Sequence, residues 1–226
     1  SSSYTKPGRS AEPLPPVIKM TVETLSGMRR IRACMSAGKI NQVEVSMGMP
    51  RFLADQIPIT LSQPTSIQAQ EPRGDRIQQP QPPFLNYPVE IKGQSLKLFL
   101  VSMGNPHAVS FIDAPVADFP LAELGPQVER HLLFPKRTNF EVARVLSRGE
   151  IEARVWERGV GETLACGSGA CAIAVAAQLL GHVDREVDII LPGGTLSLAW
   201  DRTGEVVLSG PVEEVFIGEY PTREGD

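Results

Sequence analysis

The sequence lacks any apolar run long enough to cross a bilayer, and its first residues have neither the basic start nor the apolar middle of a secretion signal. It also lacks an excess of one charge: 22 basic against 26 acidic side chains among 226 residues build no strong field for nucleic acid or a membrane surface. Cysteine is scarce. Cys34, Cys166 and Cys171 are odd in number and without metal-ligand spacing, so neither a disulfide framework nor a zinc site is expected, and the thiols are read as reduced, in a cytoplasmic protein. What is present, 42% apolar and 21% charged residues, is the composition of a globular chain with one large or two small domains.

Ser1 to Pro16 is rich in Ser, Pro and charge without periodicity and reads as a disordered tail. Alternating apolar positions then predict antiparallel strands over Ile18–Glu23, Met28–Cys34 and Val43–Met47. Arg51 to Pro88 carries many Pro and Gln residues and reads as a long surface connection, because proline cannot supply the hydrogen bonds of a central strand. Further strands are expected near 96–102, 108–112, 139–146, 150–157, 187–191, 196–200, 206–208 and 212–217. A Pro192-Gly193-Gly194 turn and a short helix near Leu121 to His131 complete the reading. The class is α+β, with mostly antiparallel sheet.

From about Ser168 to Leu180 the pattern changes. Ala170, Ala172, Ala174, Ala176 and Ala177 interleave with Ile173, Val175, Leu179 and Leu180, which predicts a helix apolar on nearly every side, enclosed by sheet and stopped at Gly181. Cys166-Gly167-Ser168-Gly169 stands at its N-terminus. A thiol placed there lies beside N–H groups that have no intrahelical acceptor, a setting that binds anions and is expected to lower the thiol's pKa. Taken alone, Cys166 reads equally well as a small buried hydrophobe, and Cys171 reads better as one. Asn105 and Asn139 read equally well as turn residues, His107 as a loop histidine, and Glu157-Arg158 as a solvated ion pair.

Four motifs in order change that balance: Met103-Gly104-Asn105-Pro106-His107, Arg137-Thr138-Asn139, Glu157-Arg158-Gly159, and Ala165-Cys166-Gly167-Ser168-Gly169-Ala170-Cys171-Ala172. Together they closely resemble diaminopimelate epimerase, from about Val17 to Tyr220. The resemblance implies a pseudo-symmetric two-lobe fold, with sheet wrapped around a central helix in each lobe. It implies an isomerase without cofactor or metal that converts LL-diaminopimelate to the meso form, in lysine and peptidoglycan-precursor synthesis, through two cysteines on opposite faces of the α-carbon.

By the same resemblance Cys166 is one of those cysteines, with Glu157 and His107 as catalytic assistants to the two thiols. The backbone N–H groups of Gly167 and Ser168 receive the α-carboxylate, Glu157 the α-ammonium, and Asn105, Asn139 and Arg158 the far end of the substrate. The family's other cysteine lies in a Cys-Gly-Asn-Gly motif that this sequence does not contain. The expectation is therefore a chain with residues 51–211 as a complete C-terminal lobe, and with 17–50 and a closing strand at 212–220 as the remnant of an incomplete first lobe. Such a chain would be truncated or split, lack an N-terminal fragment, and not epimerise alone. A homodimer also fits the family. The alternatives are a proline or hydroxyproline racemase, and a non-catalytic lobe that binds an amino acid or a partner protein.

Overall fold

A computed structural model describes residues 17–61, apart from 25, 26 and 37, and residues 82–219. The expected tail at 1–16 and most of the Pro/Gln-rich stretch, 62–81, lie outside the described residues. The chain opens with an antiparallel meander, β1 (Val17–Thr24), β2 (Gly27–Ser36) and β3 (Lys39–Ser46). After it come β4 (Phe84–Ile91), β5 (Gln94–Ser102), β6 (Pro106–Phe111), helix α1 (Leu121–Glu129), β7 (Asn139–Ser147), β8 (Glu150–Glu157) and β9 (Gly161–Thr163). Helix α2 (Gly167–Leu179), β10 (Glu186–Leu191), β11 (Gly194–Ala199) and β12 (Val207–Pro211) complete the order. All strands join one sheet, β1-β2-β3-β12-β11-β10-β8-β7-β6-β5-β4, with β9 attached to β8. Among the described strands only β6–β7 and β8–β10 pair in parallel, as the reading of mostly antiparallel sheet requires.

The middle of this sheet is covered on both faces. Phe99, Val101, Val109, Ala143 and Ile151 face α2, while Leu98, Leu100, Ala108, Phe140 and Val142 on the same strands face α1 and its surroundings. Two-sided burial accounts for near-continuous apolar runs such as Leu96 to Val101. Helix α2 touches β5, β6, β7, β10 and β11, and every residue from Gly169 to Gln178 is buried, so the all-round apolar pattern has the enclosed position that it predicts. The β1–β3 wing is different. No residue of β1 is buried, and the wing's open face forms a cleft of about 500 Å³ lined in part by Met20, Ile31, Val45 and Val207.

Two expectations need correction. Part of the stretch read as a surface connection is strand β4, which tolerates Pro88 because it lies at the outer edge of the sheet, where one side of the backbone needs no donor. Residues 212–219 form no strand. The meander is tied to the rest by β12, whose residues 207–211 pair with 42–46 of β3, and Val215, Phe216 and Ile217 beyond it are exposed, with no strand among the described residues pairing with them.

Candidate active site

Cys166 caps α2. Its backbone is extended (φ −140°, ψ 110°), and its sulfur accepts from the N–H of Gly169 at 3.4 Å, the position of a side-chain N-cap. The segment before it is held by the turn at 192–194: the Gly193 N–H donates to the Leu164 carbonyl at 2.7 Å. Cys166 is 7% exposed, and its sulfur lies 3.6 Å from Ser168 Oγ. Gly167 and Ser168 are half-buried in the first turn, where backbone N–H groups have no acceptor within the helix.

From Ser168 a chain of polar contacts runs inward. The Asn105 amide nitrogen donates to Ser168 Oγ at 3.2 Å, and Asn105 Oδ1 meets His107 Nε2 at 3.1 Å. His107 is fully buried, and its Nδ1 lies 2.7 Å from Oε1 of Glu141, which is also fully buried. Two strands set this up. His107 and Val109 on β6 are in register with Asn139 and Glu141 on β7, so the three polar side chains share the face that α2 covers.

The structure thus brings Cys166, Ser168, Asn105 and His107 into one contact series. Glu157 is close enough that its charge acts on both Cys166 and Glu141, and one of its oxygens accepts from Thr163 Oγ1 at 2.7 Å. Asn139 and Arg158 meet each other instead: Asn139 Oδ1 accepts the Arg158 backbone N–H at 2.8 Å, and its amide nitrogen donates to the Pro106 carbonyl at 2.9 Å. The exposed Arg158 guanidinium donates to the Lys136 carbonyl at 3.2 Å. The turn that carries Arg158 is pinned from below by Glu129, which accepts from the Gly159 N–H at 3.0 Å, and Gly159 itself takes a positive φ of 79°.

The expected lowering of the Cys166 pKa is not what the site produces. Burial pushes the thiol up to about 11, and the Glu141 and Glu157 charges add to that. Bonds from Ser168 and Gly169 act in the opposite direction and are outweighed. Cys171, fully buried within α2, is pushed above the ordinary thiol range by burial and by Cys166, in keeping with a packing residue. Cys34 is half-buried on β2. No group of His, Cys, Asp and Glu among the described residues has the geometry to hold a metal ion.

Glu141 and Glu129 were absent from the sequence reading. In a strand pattern Glu141 looks like a solvent-facing charge, and the one available signal is its i+2 spacing from Asn139, which puts both on one face.

The fold is shared with solved racemases and isomerases. A hydroxyproline epimerase from Agrobacterium vitis matches with a TM-score of 0.57, over 89% of this chain and 58% of that one, at 13% identity. A methylitaconate-delta-isomerase matches with a TM-score of 0.53, over 95% of this chain and 71% of that one, at 9% identity, and at such identities the likeness is one of fold alone. The class is thus an α+β epimerase fold. The sequence model of the family described as diaminopimelate epimerase matches residues 99–215. A diaminopimelate epimerase of Desulfovibrio desulfuricans is 44% identical over 202 residues, 89% of this chain and 66% of that protein. One of Moorella thermoacetica is 41% identical over 204 residues, 90% and 66%. The chain belongs to the diaminopimelate epimerase family, and it spans just under two thirds of the length of these curated relatives.

Proposed function

We propose that these residues carry one half of the site of a cofactor-independent epimerase acting on LL-diaminopimelate, with Cys166 as one of two thiols that move the α-proton. The observation that carries the reading is the Cys166 sulfur at the start of a buried helix, linked through Ser168 and Asn105 to the interior His107. The α-proton of an amino acid is weakly acidic, so a site without a cofactor needs fixed N–H dipoles near the reacting carboxylate. The first turn of α2 supplies them at Gly167 and Ser168. Glu157 then receives the α-ammonium through the oxygen that Thr163 leaves open, and Asn105, expected at the far end of the substrate, is instead assigned to the reacting end on the strength of its bond to Ser168. Arg158 takes the distal carboxylate, with Asn139 fixing the backbone on which it stands.

Inversion needs a second thiol on the opposite face of the α-carbon. Neither other cysteine suits it: Cys171 is fully buried five residues along the same helix, and Cys34 lies on the β1–β3 wing. These 226 residues by themselves are therefore expected to bind LL-diaminopimelate without inverting it. Calorimetry measures the binding, and deuterium uptake from solvent with chiral analysis of the product measures the chemistry. Inversion by this chain, lost in Cys166→Ala, would overturn the half-site reading. Absence of both binding and exchange would overturn diaminopimelate as substrate, and tighter binding of proline or hydroxyproline would favour a racemase of that type. Reduced thiols support a cytoplasmic setting for this activity, and no helix among the described residues is long and apolar enough to cross a membrane.

A further inference from the structure

Glu141 is the buried ionisable group for which the substrate contacts above have no use. It is fully buried, Oε1 is bonded to His107, and Oε2 has no hydrogen-bond partner among the described residues. An orphaned carboxylate oxygen in a protein interior is costly, and so calls for a reason. Its position supplies one. A Cβ placed on Gly169 would come 3.1 Å from Glu141 Oε1 and 3.3 Å from the Cys166 sulfur, so carboxylate and thiol flank the same helix turn.

The donors and acceptors between them form a chain with a direction. Asn105 presents Oδ1 to His107 Nε2 and its amide nitrogen to Ser168. A carbonyl oxygen only accepts, so Nε2 carries a hydrogen. One further proton then lies between Nδ1 and Glu141 Oε1, and the pair is neutral whichever atom holds it. Ser168 Oγ accepts from Asn105 and has its own hydrogen free to give to the sulfur 3.6 Å away, which is what a thiolate requires.

Rotating the Asn105 amide by half a turn exchanges two nearly isosteric ends and reverses every bond. The amide nitrogen now donates to a bare Nε2, Ser168 donates to the amide oxygen, and the sulfur keeps a hydrogen that it donates to Ser168. The Glu141–His107 pair keeps only the Nδ1 hydrogen and is an anion. The two settings hold the same number of protons and the same net charge. They differ in the place of one proton, on His107 Nε2 or on Cys166 Sγ.

We propose that Glu141 is a positioning residue for the reaction: the state of its pair with His107, transmitted by Asn105 and Ser168, sets whether Cys166 stands as thiolate, ready to take a proton, or as thiol, ready to give one. The inference deepens the epimerase reading and rests on it for the use made of the sulfur. The ionisable groups around the chain are His107 from β6, Glu141 from β7, Glu157 from β8, Cys166 and Cys171 from α2, and, acting on Cys171, Arg29 from β2. Burial of Glu141 holds its carboxyl above the usual range, with His107 pulling it back, which suits a group that keeps a proton within reach of its partner.

The test is the rate of Cys166 alkylation by iodoacetamide across pH, read site by site by peptide mass spectrometry. It uses no substrate, so its outcome is separate from that of the diaminopimelate experiments. An isolated thiol below its pKa gains reactivity tenfold per pH unit; an internally shared proton adds a flat stretch around neutral pH, where the thiolate fraction no longer depends on pH. The expected wild-type profile has that stretch as a low plateau, because burial disfavours the thiolate setting without abolishing the shared proton. Glu141→Gln removes it and alkylates on the order of tenfold more slowly at neutral pH. If Glu141 is only a nearby charge, removing it eases ionisation of the thiol, and Glu141→Gln reacts faster than wild type with an unchanged profile shape; that result, or a wild-type profile without the flat stretch, overturns the proposal. Should Glu141→Gln fail to fold, Ser168→Ala cuts the chain at a half-buried position, and its profile is expected to lose the flat stretch in the same way; a retained stretch overturns the proposal.

Discussion

Two regions of this molecule bury a glutamate, and they treat it in opposite ways. Beneath the turn that carries Arg158, Glu129 is 3% exposed, accepts from Trp156 Nε1 at 2.8 Å and from the Gly159 N–H at 3.0 Å, and faces Arg137 at 3.5 Å. Burial works against its charge, yet Trp156, Gly159 and the two arginines 130 and 137 outweigh that and hold its carboxyl below the ordinary range. Beside α2, Glu141 is eased by His107 and by the Ala108 backbone N–H, its Oε2 has no hydrogen-bond partner among the described residues, and burial wins. The difference teaches that depth alone does not fix the state of an interior carboxylate. The number of donors aimed at it does. The first glutamate is a fixed strut for a loop, whereas the second can still exchange a proton.

Glu129→Ala tests the strut most severely. It leaves the indole and Gly159 N–H groups without an acceptor, and a loss of about 3 kcal/mol is expected in urea unfolding. Glu129→Gln keeps one acceptor and loses less. Glu141→Gln removes a carboxylate that the fold fails to satisfy, so it is expected to leave stability unchanged or raised at neutral pH. Equal losses at the two sites would break the contrast.

Gly125 in α1 belongs to the same strut. A Cβ there would lie 2.6 to 2.8 Å from ring atoms of Trp156, the residue whose indole N–H reaches Glu129. The ring has no flexible end to yield, so Gly125→Ala is expected to lose about 2 kcal/mol net, overpacking having outweighed roughly 1 kcal/mol gained from helix propensity. Thermal unfolding measures it, and an unchanged midpoint would mean that the strut is loosely packed.

The pH dependence of stability separates the two carboxylates by sign. Glu129, held below its ordinary 4.5, contributes stability above that value that is lost as pH falls through its folded pKa. Glu141, held above 4.5, contributes stability at low pH that is lost as pH rises from 4.5 through its folded pKa. The unfolding free energy of wild type minus that of each Gln variant, followed across pH, should therefore fall toward acid for Glu129 and toward base for Glu141. Slopes of up to about 1 kcal/mol per pH unit are expected. Slopes of the same sign would remove the distinction.

What the residues disclosed in advance follows the same division between local and enclosed chemistry. Period-two patterns placed β1 to β3, apolar strand-length segments placed β5 to β8, β10 and β11, and the Ala-rich run placed α2, because each is written in consecutive residues. The three-residue β9 and the proline-bearing β4 gave no such pattern, since one is held by its pairing with β8 and the other by its place at the sheet edge. Val212 to Ile217 has a strand's composition, but beyond the bond of the Val212 N–H to the Asn41 carbonyl it finds no ladder partner among the described residues. At the site, the glycines around Cys166 marked the helix start, but the direction of its pKa shift depended on burial first and then on Glu141, which comes from a distant strand on the face that α2 covers. Glu129 was invisible for a similar reason: its partners Trp156 and Gly159 are separated from it by two strands' worth of chain.

The smallest effect expected is also the most selective. Gly169 lies in the first turn of α2, where alanine would gain helix propensity of up to about 1 kcal/mol. Its Cβ would stand 3.1 Å from Glu141 Oε1 and 3.3 Å from the sulfur, contacts that a free side-chain end could relax and that a carboxylate fixed at 2.7 Å from His107 resists. The two terms oppose each other at similar size, so Gly169→Ala is expected to change stability by less than about 1 kcal/mol. The relaxation that remains open is a shift of Glu141 away from α2, which would lengthen its bond to His107 and weaken the polar chain to Cys166. A near-wild-type unfolding curve with loss of the flat stretch in the alkylation profile would locate the effect in that chain, because a substitution that merely loosened the helix would alter the first measurement before the second.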